Sequence, residues 1–210
     1  MASNASVQEA GRSRSAPIRK TQQVDTTGIV GQLSKIEEAG GAGILDLGRG
    51  KSLKVSNLDK VFFPKEKYTK GDVMRYYAGI TDFILPTIQD RQLVLKRFPK
   101  GIDGEAFYQQ KASETTPPGV RVQVIKTDAG GERPVIVGGD LLTLLYTIQL
   151  GAISVDPWHS RVGSLEYADS TILDLDTGPS ANFARVVAVT RWTREAIDGC
   201  GLPAAIKTSG

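Results

Sequence analysis

The sequence has too few cysteine and histidine residues for a disulfide-rich protein or for a metal site built from several histidines. It contains one cysteine, Cys200, and one histidine, His159, in 210 residues. A single cysteine excludes an intramolecular disulfide framework and is typical of a reducing compartment, and one histidine excludes a multi-histidine metal site within the chain. No apolar run, including that at Leu141–Leu145, approaches the roughly 20 residues that a membrane-spanning helix requires. We therefore expect a cytoplasmic protein without a membrane partner.

Positive charge is unevenly distributed along the chain. The net charge is +3 and the pI is about 8.9. Residues 51–110 carry 11 Lys and Arg against 7 Asp and Glu, whereas residues 111–210 carry 9 against 11. The basic segment is typical of a surface that contacts anions, although a solvated surface with a chance excess of lysines explains the same counts.

The pattern of apolar residues predicts a leader followed by one mixed α/β domain. Residues 1–44 are expected to be disordered or partly helical, with an amphipathic helix at Ile29–Ala39. Further helices are predicted from the capping pattern Thr69–Asp72 to Pro86, at Asp140–Leu150 and at Phe183–Asp198. Strands are predicted at Ser52–Ser56, Gln92–Phe98, Phe107–Gln110, Val120–Thr127, Ala152–Asp156, Thr171–Asp176 and Ala204–Thr208. The last two strands and the helix between them predict a right-handed βαβ unit.

Two aspartates separated by one residue end the predicted strand Thr171–Asp176. In a strand, Asp174 and Asp176 point to the same face about 6.5–7 Å apart, which suits Mg²⁺ or Mn²⁺ that engages nucleotide phosphates. Alternatively, Asp176 only caps the following turn. Lys207–Gly210 ends the next predicted strand, so its Ser-Gly turn is expected at the same edge of the sheet, where it offers a hydroxyl and N–H groups to phosphate. An ordinary turn has the same composition.

Polar residues also follow the predicted strand Ala152–Asp156. Asp156 and His159 lie in a turn after apolar residues, which indicates a binding loop, although a lone histidine is commonly a structural hydrogen-bonding residue.

The basic segment carries further candidates. Lys70 falls at the first turn of a predicted helix, where its charge and the free backbone N–H groups are expected to act together on a phosphate. The adjacent Phe107 and Tyr108 follow the basic pair Lys96–Arg97, and an exposed ring there is a stacking platform for a base. Plain packing is the alternative for Phe107, and a surface hydroxyl for Tyr108.

Short motifs occur in a fixed order along the chain. They are Ser56–Pro64, Thr69–Asp72, Leu95–Pro99, Gly101–Gly104, Ala106–Gln109, Leu150–Ile153, Pro157–Arg161, Leu173–Pro179 and Lys207–Gly210. In this order they resemble the polymerase domain of bacterial ligase D, a primase-polymerase of the archaeo-eukaryotic primase superfamily. The resemblance covers about residues 45–210. It implies an α/β fold with a mixed α/β N-terminal module followed by the first βαβ of an RRM-like catalytic module, incomplete here.

The resemblance implies a catalytic centre for metal-dependent nucleotidyl transfer. Asp174 and Asp176 match the family's metal-binding aspartates, which use Mn²⁺ or Mg²⁺. Ser209 and Gly210 match the start of the motif that holds the incoming triphosphate. Asp156 stands where the family often has a histidine that contacts the nucleotide phosphates. An aspartate there would repel the phosphates unless His159 or a metal compensates, and both Asp156 and His159 are kept as nucleotide-binding candidates. The turn after the aspartates is usually Asp-Pro-Gly in the family and is Asp-Thr-Gly here.

The resemblance also implies a surface for DNA ends. Asn57, Lys60 and Lys70 match residues that recognise the 5′-phosphate at a DNA end. The pair Phe107–Tyr108 matches aromatic residues that contact template or end bases, and the basic pair Lys96–Arg97 joins the predicted DNA-binding set.

The implied role is addition of NTPs or dNTPs to broken DNA ends in bacterial non-homologous end joining. Expected partners are DNA ends with a 5′-phosphate, a Ku-type end-binding protein, and ligase or nuclease domains of the parent protein, near the nucleoid. The family continues after Ser-Gly with a lysine, a histidine and a third carboxylate from a later strand. We therefore expect the 210-residue polypeptide to be a C-terminally truncated domain that binds ends without catalysis. An unrelated Mg²⁺-dependent phosphoryl enzyme is the other alternative.

Overall fold

Short helices and antiparallel strands alternate along the computed structural model, which describes residues 26–127, 130–176 and 178–207. The helices are α1 (Thr26–Glu38), α2 (Lys70–Gly79), α3 (Thr81–Ile88), α4 (Leu141–Gln149) and α5 (Phe183–Gly199). The strands are β1 (Gly43–Asp46), β2 (Ser52–Val55), β3 (Val61–Phe63), β4 (Tyr68–Thr69), β5 (Leu93–Arg97), β6 (Phe107–Gln109), β7 (Val122–Lys126), β8 (Glu132–Ile136) and β9 (Ala152–Pro157). The predicted mixed α/β class is confirmed. The chain divides into two compact units, one up to Asp169 and one from Ser170 on.

The core of the first unit lies around α4 and a three-stranded antiparallel sheet in the order β6-β5-β9. Every residue from Leu141 to Ile148 is buried, because this helix is apolar on all sides. Its N-cap is Asp140, whose carboxylate accepts a hydrogen bond from the Thr143 N–H. Leu93 and Leu95 on one face of β5 belong to the same core. The predicted helix at residues 140–150 and the strands at 92–98 and 152–156 are confirmed within one or two residues.

The N-terminal helix α1 contributes to this core. Ile29 and Leu33, one turn apart, are buried in the main apolar cluster. The side-chain amide of Gln32 forms a hydrogen bond in each direction with the backbone of Asp46, which ties α1 to β1. The predicted helix at residues 29–39 is therefore confirmed.

The segment after Thr69 differs from its prediction as one continuous helix. The capping box at Thr69 and Asp72 is confirmed, but the helix is interrupted at Ile80, whose backbone leaves the helical region. The two helices consequently present different faces to the core. Tyr76 and Phe83, predicted on the buried face, are instead 62% and 79% exposed.

The predicted βαβ unit is only partly present. Helix α5 is confirmed, with Asn182 as its N-cap, but 171–176 and 204–207 form no strand. A strand needs a neighbour to pair its N–H and C=O groups, and within the described residues no strand pairs with either segment. The hydrophobic residues that suggested the first strand are accordingly exposed, Ile172 at 69% and Leu173 at 57%. Conversely, β8 was not predicted, and it pairs with β7.

Candidate functional site: a basic cleft

A cleft of about 190 Å³ opens on the first unit where four backbone segments meet. These are the loop after β2, the start of α2, the end of β5 and the turn between α4 and β9. The cleft is lined by Asn57, Lys60, Phe62, Lys70, Arg97, Pro99, Gln149, Leu150 and Gly151. We call it the basic cleft. The structure thus brings together four residues that the sequence assigned to DNA binding, from segments up to 40 positions apart.

Three cations converge on the basic cleft, and each is anchored by a backbone carbonyl. The Lys60 ammonium donates to the Pro99 oxygen at 2.7 Å, and the Lys70 ammonium to the Ser56 oxygen at 2.9 Å. The Arg97 Nε donates to the Leu150 oxygen at 2.7 Å. In the part of the chain that the structure describes, no carboxylate forms an ion pair with any of the three. The positive charge of the cleft is therefore available to an anion.

The ammonium of Lys70 experiences this concentration of charge most strongly. The residue is 4% exposed. Burial, and then the charges of Lys60 and Arg97, lower the pKa of Lys70 from 10.5 to about 8. Lys70 is still mainly protonated at neutral pH, so a bound anion would find a charged donor there. An ionisable side chain in a cleft whose charged form is destabilised by burial and by like charges is typical of a binding site.

Asn57 and Gln149 shape the loop that holds Lys70. Asn57 has a φ of 54°, in the left-handed region, where asparagine is among the few tolerated residues other than glycine. Gln149, at the end of α4, accepts from the Ser56 N–H at 3.1 Å and donates to the Ser56 hydroxyl at 2.9 Å. Gln149 was not predicted as a site residue. Its role depends on a contact across 93 residues of sequence, for which no local pattern exists.

The helix N-terminus itself does not have the predicted role of a phosphate cradle. The Lys70 N–H donates to the Lys60 oxygen at 2.7 Å and the Gly71 N–H to the Leu58 oxygen at 2.8 Å. The Asp72 N–H donates to the Thr69 hydroxyl. Because these groups are already bonded, α2 contributes the side chain of Lys70 rather than free N–H groups. The prediction was wrong in this respect because tertiary contacts satisfy the first turn.

The four residues predicted on the β5–β6 ribbon separate onto its two faces. Lys96 pairs with Tyr108 and Arg97 with Phe107 in the antiparallel register. The Lys96 ammonium lies 5.7 Å from the centre of the Tyr108 ring, and the Arg97 guanidinium lies 5.0 Å from that of Phe107. Since neighbouring residues of a strand point in opposite directions, Arg97 lines the basic cleft, with the Phe107 ring against its guanidinium, whereas Lys96 is not among the lining residues. Both rings are partly available for stacking, Phe107 at 46% and Tyr108 at 62% exposure.

Asp156 and His159 lie at and just beyond the end of β9, and both side chains are exposed. Asp156 is opposite Val94 in the sheet, on the face that also carries Lys96. The carbonyl of His159 accepts from the guanidinium of Arg91 at 2.7 Å and from the Asp169 N–H at 3.1 Å. The backbone of this loop is thus held from both sides. The nucleotide-binding role of the two side chains stays a prediction.

The predicted metal ligands belong to the second unit. Asp174 and Asp176 are exposed, and their segment is not a strand. Ser209 and Gly210 lie outside the described residues. Within the described ranges, no group of three or more His, Cys, Asp or Glu is arranged to hold a metal ion. The assignment of the aspartates to a metal therefore stays a prediction as well.

Comparison with known proteins supports the resemblance seen in the motifs. Residues 69–210 match the family described as LigD, primase-polymerase domain. The multifunctional non-homologous end joining protein LigD of Pseudomonas aeruginosa is 29% identical over 158 residues, which are 75% of this chain and 19% of that protein. The bifunctional LigD of Bacillus subtilis is 27% identical over 158 residues, 75% of this chain and 25% of that protein. The chain therefore spans a quarter or less of the length of these relatives.

A solved structure has a similar fold. It is the polymerase domain from Mycobacterium tuberculosis ligase D in complex with DNA, with a TM-score of 0.59 and 24% sequence identity. The similarity covers 71% of this chain and 54% of that chain. The fold is thus similar to that of the ligase D polymerase domain, while the family itself is shown by the match over residues 69–210. No helix in the described part of the chain is long and apolar enough to span a bilayer.

Proposed function

Since this chain belongs to the LigD primase-polymerase domain family, we propose that its basic cleft binds the 5′-phosphate of a DNA end, and that the protein acts as a DNA-end primase-polymerase in bacterial non-homologous end joining. The observation that carries this proposal is the convergence of Lys60, Lys70 and Arg97 on one cleft without a carboxylate partner among the described residues.

The chemistry of the cleft favours a terminal phosphate. A phosphomonoester carries nearly two negative charges and three strong acceptor oxygens, whereas a phosphodiester within a strand carries one charge. Charge-assisted hydrogen bonds from lysine and arginine are about twice as strong as neutral ones. The three cations therefore select the end of a strand over its interior.

The residues around the cleft support DNA as the molecule that carries this phosphate. Phe107 lies under the Arg97 guanidinium beside the cleft, and Tyr108 lies under Lys96 on the other face of the ribbon. Exposed aromatic rings next to cations are the usual platform for unpaired bases. A DNA end offers a terminal phosphate and frayed bases together.

We extend the proposal to nucleotidyl transfer from NTPs or dNTPs, with Asp174 and Asp176 as two of the ligands of Mg²⁺ or Mn²⁺ in a site that further groups must complete before it is active. Their carboxylate oxygens are the donors that these ions prefer, both side chains are exposed, and neither forms an ion pair among the described residues. When bound, the ion would neutralise charge at the reacting phosphate. The Lys207–Gly210 motif, Asp156, His159, a Ku-type protein and ligase or nuclease domains stay predictions of the family resemblance.

The first test of the proposal compares two duplexes that differ in one group. A duplex with a recessed 5′ end should bind the chain about tenfold more tightly when that end carries a phosphate than when it carries a hydroxyl, as expected for a strong charge-assisted contact. Fluorescence anisotropy at fixed, low salt measures both affinities, because phosphate contacts weaken as salt rises. Equal affinities for the two ends would contradict the 5′-phosphate assignment.

A second test concerns catalysis by the chain alone. We expect no primer extension by the 210-residue polypeptide with Mn²⁺ or Mg²⁺ and NTPs or dNTPs, because two exposed carboxylates on a segment without strand pairing form an incomplete metal site. The polymerase domain of the Mycobacterium tuberculosis ligase D, assayed in parallel, is the positive control. Template-dependent extension by this chain would show that the site is complete as it stands.

A further inference from the structure

The segment before the family match makes bonds to two of the segments that line the basic cleft. Helix α1 and the turn after it precede residues 69–210, where the match lies. The Gly41 oxygen accepts from the Leu58 N–H at 3.0 Å, in the loop that carries Asn57 and Lys60. Glu37 accepts from the Thr69 hydroxyl at 2.6 Å, at the N-cap of α2. The loop with Lys60 and the helix with Lys70 are therefore bonded to the same upstream segment.

Glu37 is the centre of the network that caps α2. Its second carboxylate oxygen accepts from the Arg75 guanidinium at 2.5 Å, and the same guanidinium donates to Asp72 at 2.7 Å. Asp72 in turn accepts from the Thr69 N–H at 2.8 Å, which completes the capping box. Both charged partners are largely buried, with side-chain exposures of 18% for Glu37 and 20% for Arg75. The position of the first helical residue, Lys70, depends on this cap.

The position of Glu37 is unfavourable for its own helix. It lies in the last turn of α1, where the helix dipole disfavours a negative charge. The backbone of α2 also approaches it so closely that a Cβ on Gly71 would lie 2.6 Å from the Glu37 carboxylate. Glu37 is therefore unfavourable for the dipole of α1 and needs a glycine at the facing position of α2. Its contacts with α2, and not the stability of α1, explain why a glutamate lies here.

We propose that Glu37 is a positioning residue, which holds Thr69 and Arg75 and thereby keeps the Lys70 ammonium in the basic cleft. This inference rests on the proposed function of the cleft. The start of α2 is bonded directly to the loop that carries Lys60, because the Lys70 N–H donates to the Lys60 oxygen and the Gly71 N–H to the Leu58 oxygen. A shift of the α2 cap therefore moves Lys70 and the loop with Lys60 together.

The test uses the full chain and the two duplexes with 5′-phosphate and 5′-hydroxyl ends. Glu37→Gln keeps the size of the side chain but removes its charge and weakens its hold on Arg75. We expect the preference for the phosphate end to fall about fivefold, with little change in affinity for the hydroxyl end. Glu38→Gln is the matched control, since Glu38 is exposed on the same helix and the charge change is identical. A preference unchanged in Glu37→Gln would overturn the proposal.

A titration of the Lys70 ammonium by NMR separates this inference from the proposed function. If Glu37 positions Lys70, Glu37→Gln lets the ammonium leave its buried place, and the pKa of Lys70 rises from about 8 toward the ordinary 10.5. If Glu37 acted only through its charge, removing it would lower the pKa further. A wild-type chain without end preference refutes the proposed function, while the titration still decides the role of Glu37.

A second variant covers the case in which Glu37→Gln does not fold. Gly71→Ala places a methyl group against the Glu37 carboxylate, while alanine is a better helix former than glycine. We expect a folded variant with a reduced phosphate preference and a raised Lys70 pKa. Wild-type values of both quantities in Gly71→Ala would contradict the positioning role.

Discussion

Replacing Lys70 by methionine is expected to abolish the preference for a phosphorylated 5′ end. Methionine fills a similar volume but removes the charged donor that lies deepest in the basic cleft. Hydrogen bonds to charged groups contribute about 1.5–3 kcal/mol, which is enough to account for the whole of the expected preference, so the affinity for the phosphate end should fall about tenfold, to that of the hydroxyl end. Anisotropy with the two duplexes measures the loss, and binding of the hydroxyl end should hardly change.

The same substitution should stabilise the fold. The pKa of Lys70 is lowered from 10.5 to about 8, so the unfolded chain holds its proton more firmly than the folded one. The free energy of unfolding of the wild type should therefore rise with pH between about 8 and 10.5, and the full penalty applies below pH 8. Lys70→Met removes this penalty but leaves the Ser56 oxygen without its donor. We expect a net gain of about 1–2 kcal/mol at pH 7, measured by urea unfolding.

Lys65→Met is the control for both effects. Lys65 is exposed and lies outside the cleft lining, and its replacement changes the net charge equally. If Lys65→Met reduced the preference as much as Lys70→Met, general charge and not the cleft would be responsible.

The pH dependence of the wild type gives a further prediction. Its preference for the phosphate end should weaken as the pH rises through about 8, where Lys70 loses its proton.

Replacing Arg91 by methionine should destabilise the first unit strongly. The side chain of Arg91 is 9% exposed. Its guanidinium donates to the carbonyls of Thr87, Trp158 and His159 at 2.7–3.1 Å, and to the Asp169 carboxylate at 2.5 Å. Methionine retains the apolar stem and leaves these acceptors unpaired. We expect a loss of about 2–4 kcal/mol in the free energy of unfolding.

Arg161→Met provides the comparison, because Arg161 binds the same Asp169 carboxylate from the solvent side at 39% exposure. An exposed pair contributes little, so the expected loss is about 1 kcal/mol or less. Burial alone would raise the pKa of Asp169, but hydrogen bonds from both arginines outweigh it and lower that pKa. This contribution is present at neutral pH and is lost in acid as Asp169 becomes protonated. Similar losses in the two variants would mean that burial of Arg91 is unimportant.

Local patterns in the sequence were sufficient for most helices, whereas the candidate DNA-end residues came from the resemblance to a family. The capping box at Thr69 and the apolar run of α4 depend on neighbours within a few positions, and both are confirmed. The strand at Thr171–Asp176 failed because a strand is completed by a partner that is distant in sequence. Tyr76 was placed on the wrong face because the core contacts the side of α2 that carries Val73, Met74 and Ala78, a choice made by packing that periodicity does not encode.

By itself, the sequence determined the mixed α/β class, the motif order that identifies the family, and Asn57, Lys60 and Lys70 as candidates for phosphate. Only the tertiary structure decided that Arg97 joins them while Lys96 faces away, and that the α2 N–H groups are already bonded. It alone brought Gln149 to the cleft and Glu37 to the cap of α2. The physical reason is that residue type and local spacing set which charges are present, whereas long-range hydrogen bonds and burial set which charges meet and which remain without a counter-charge.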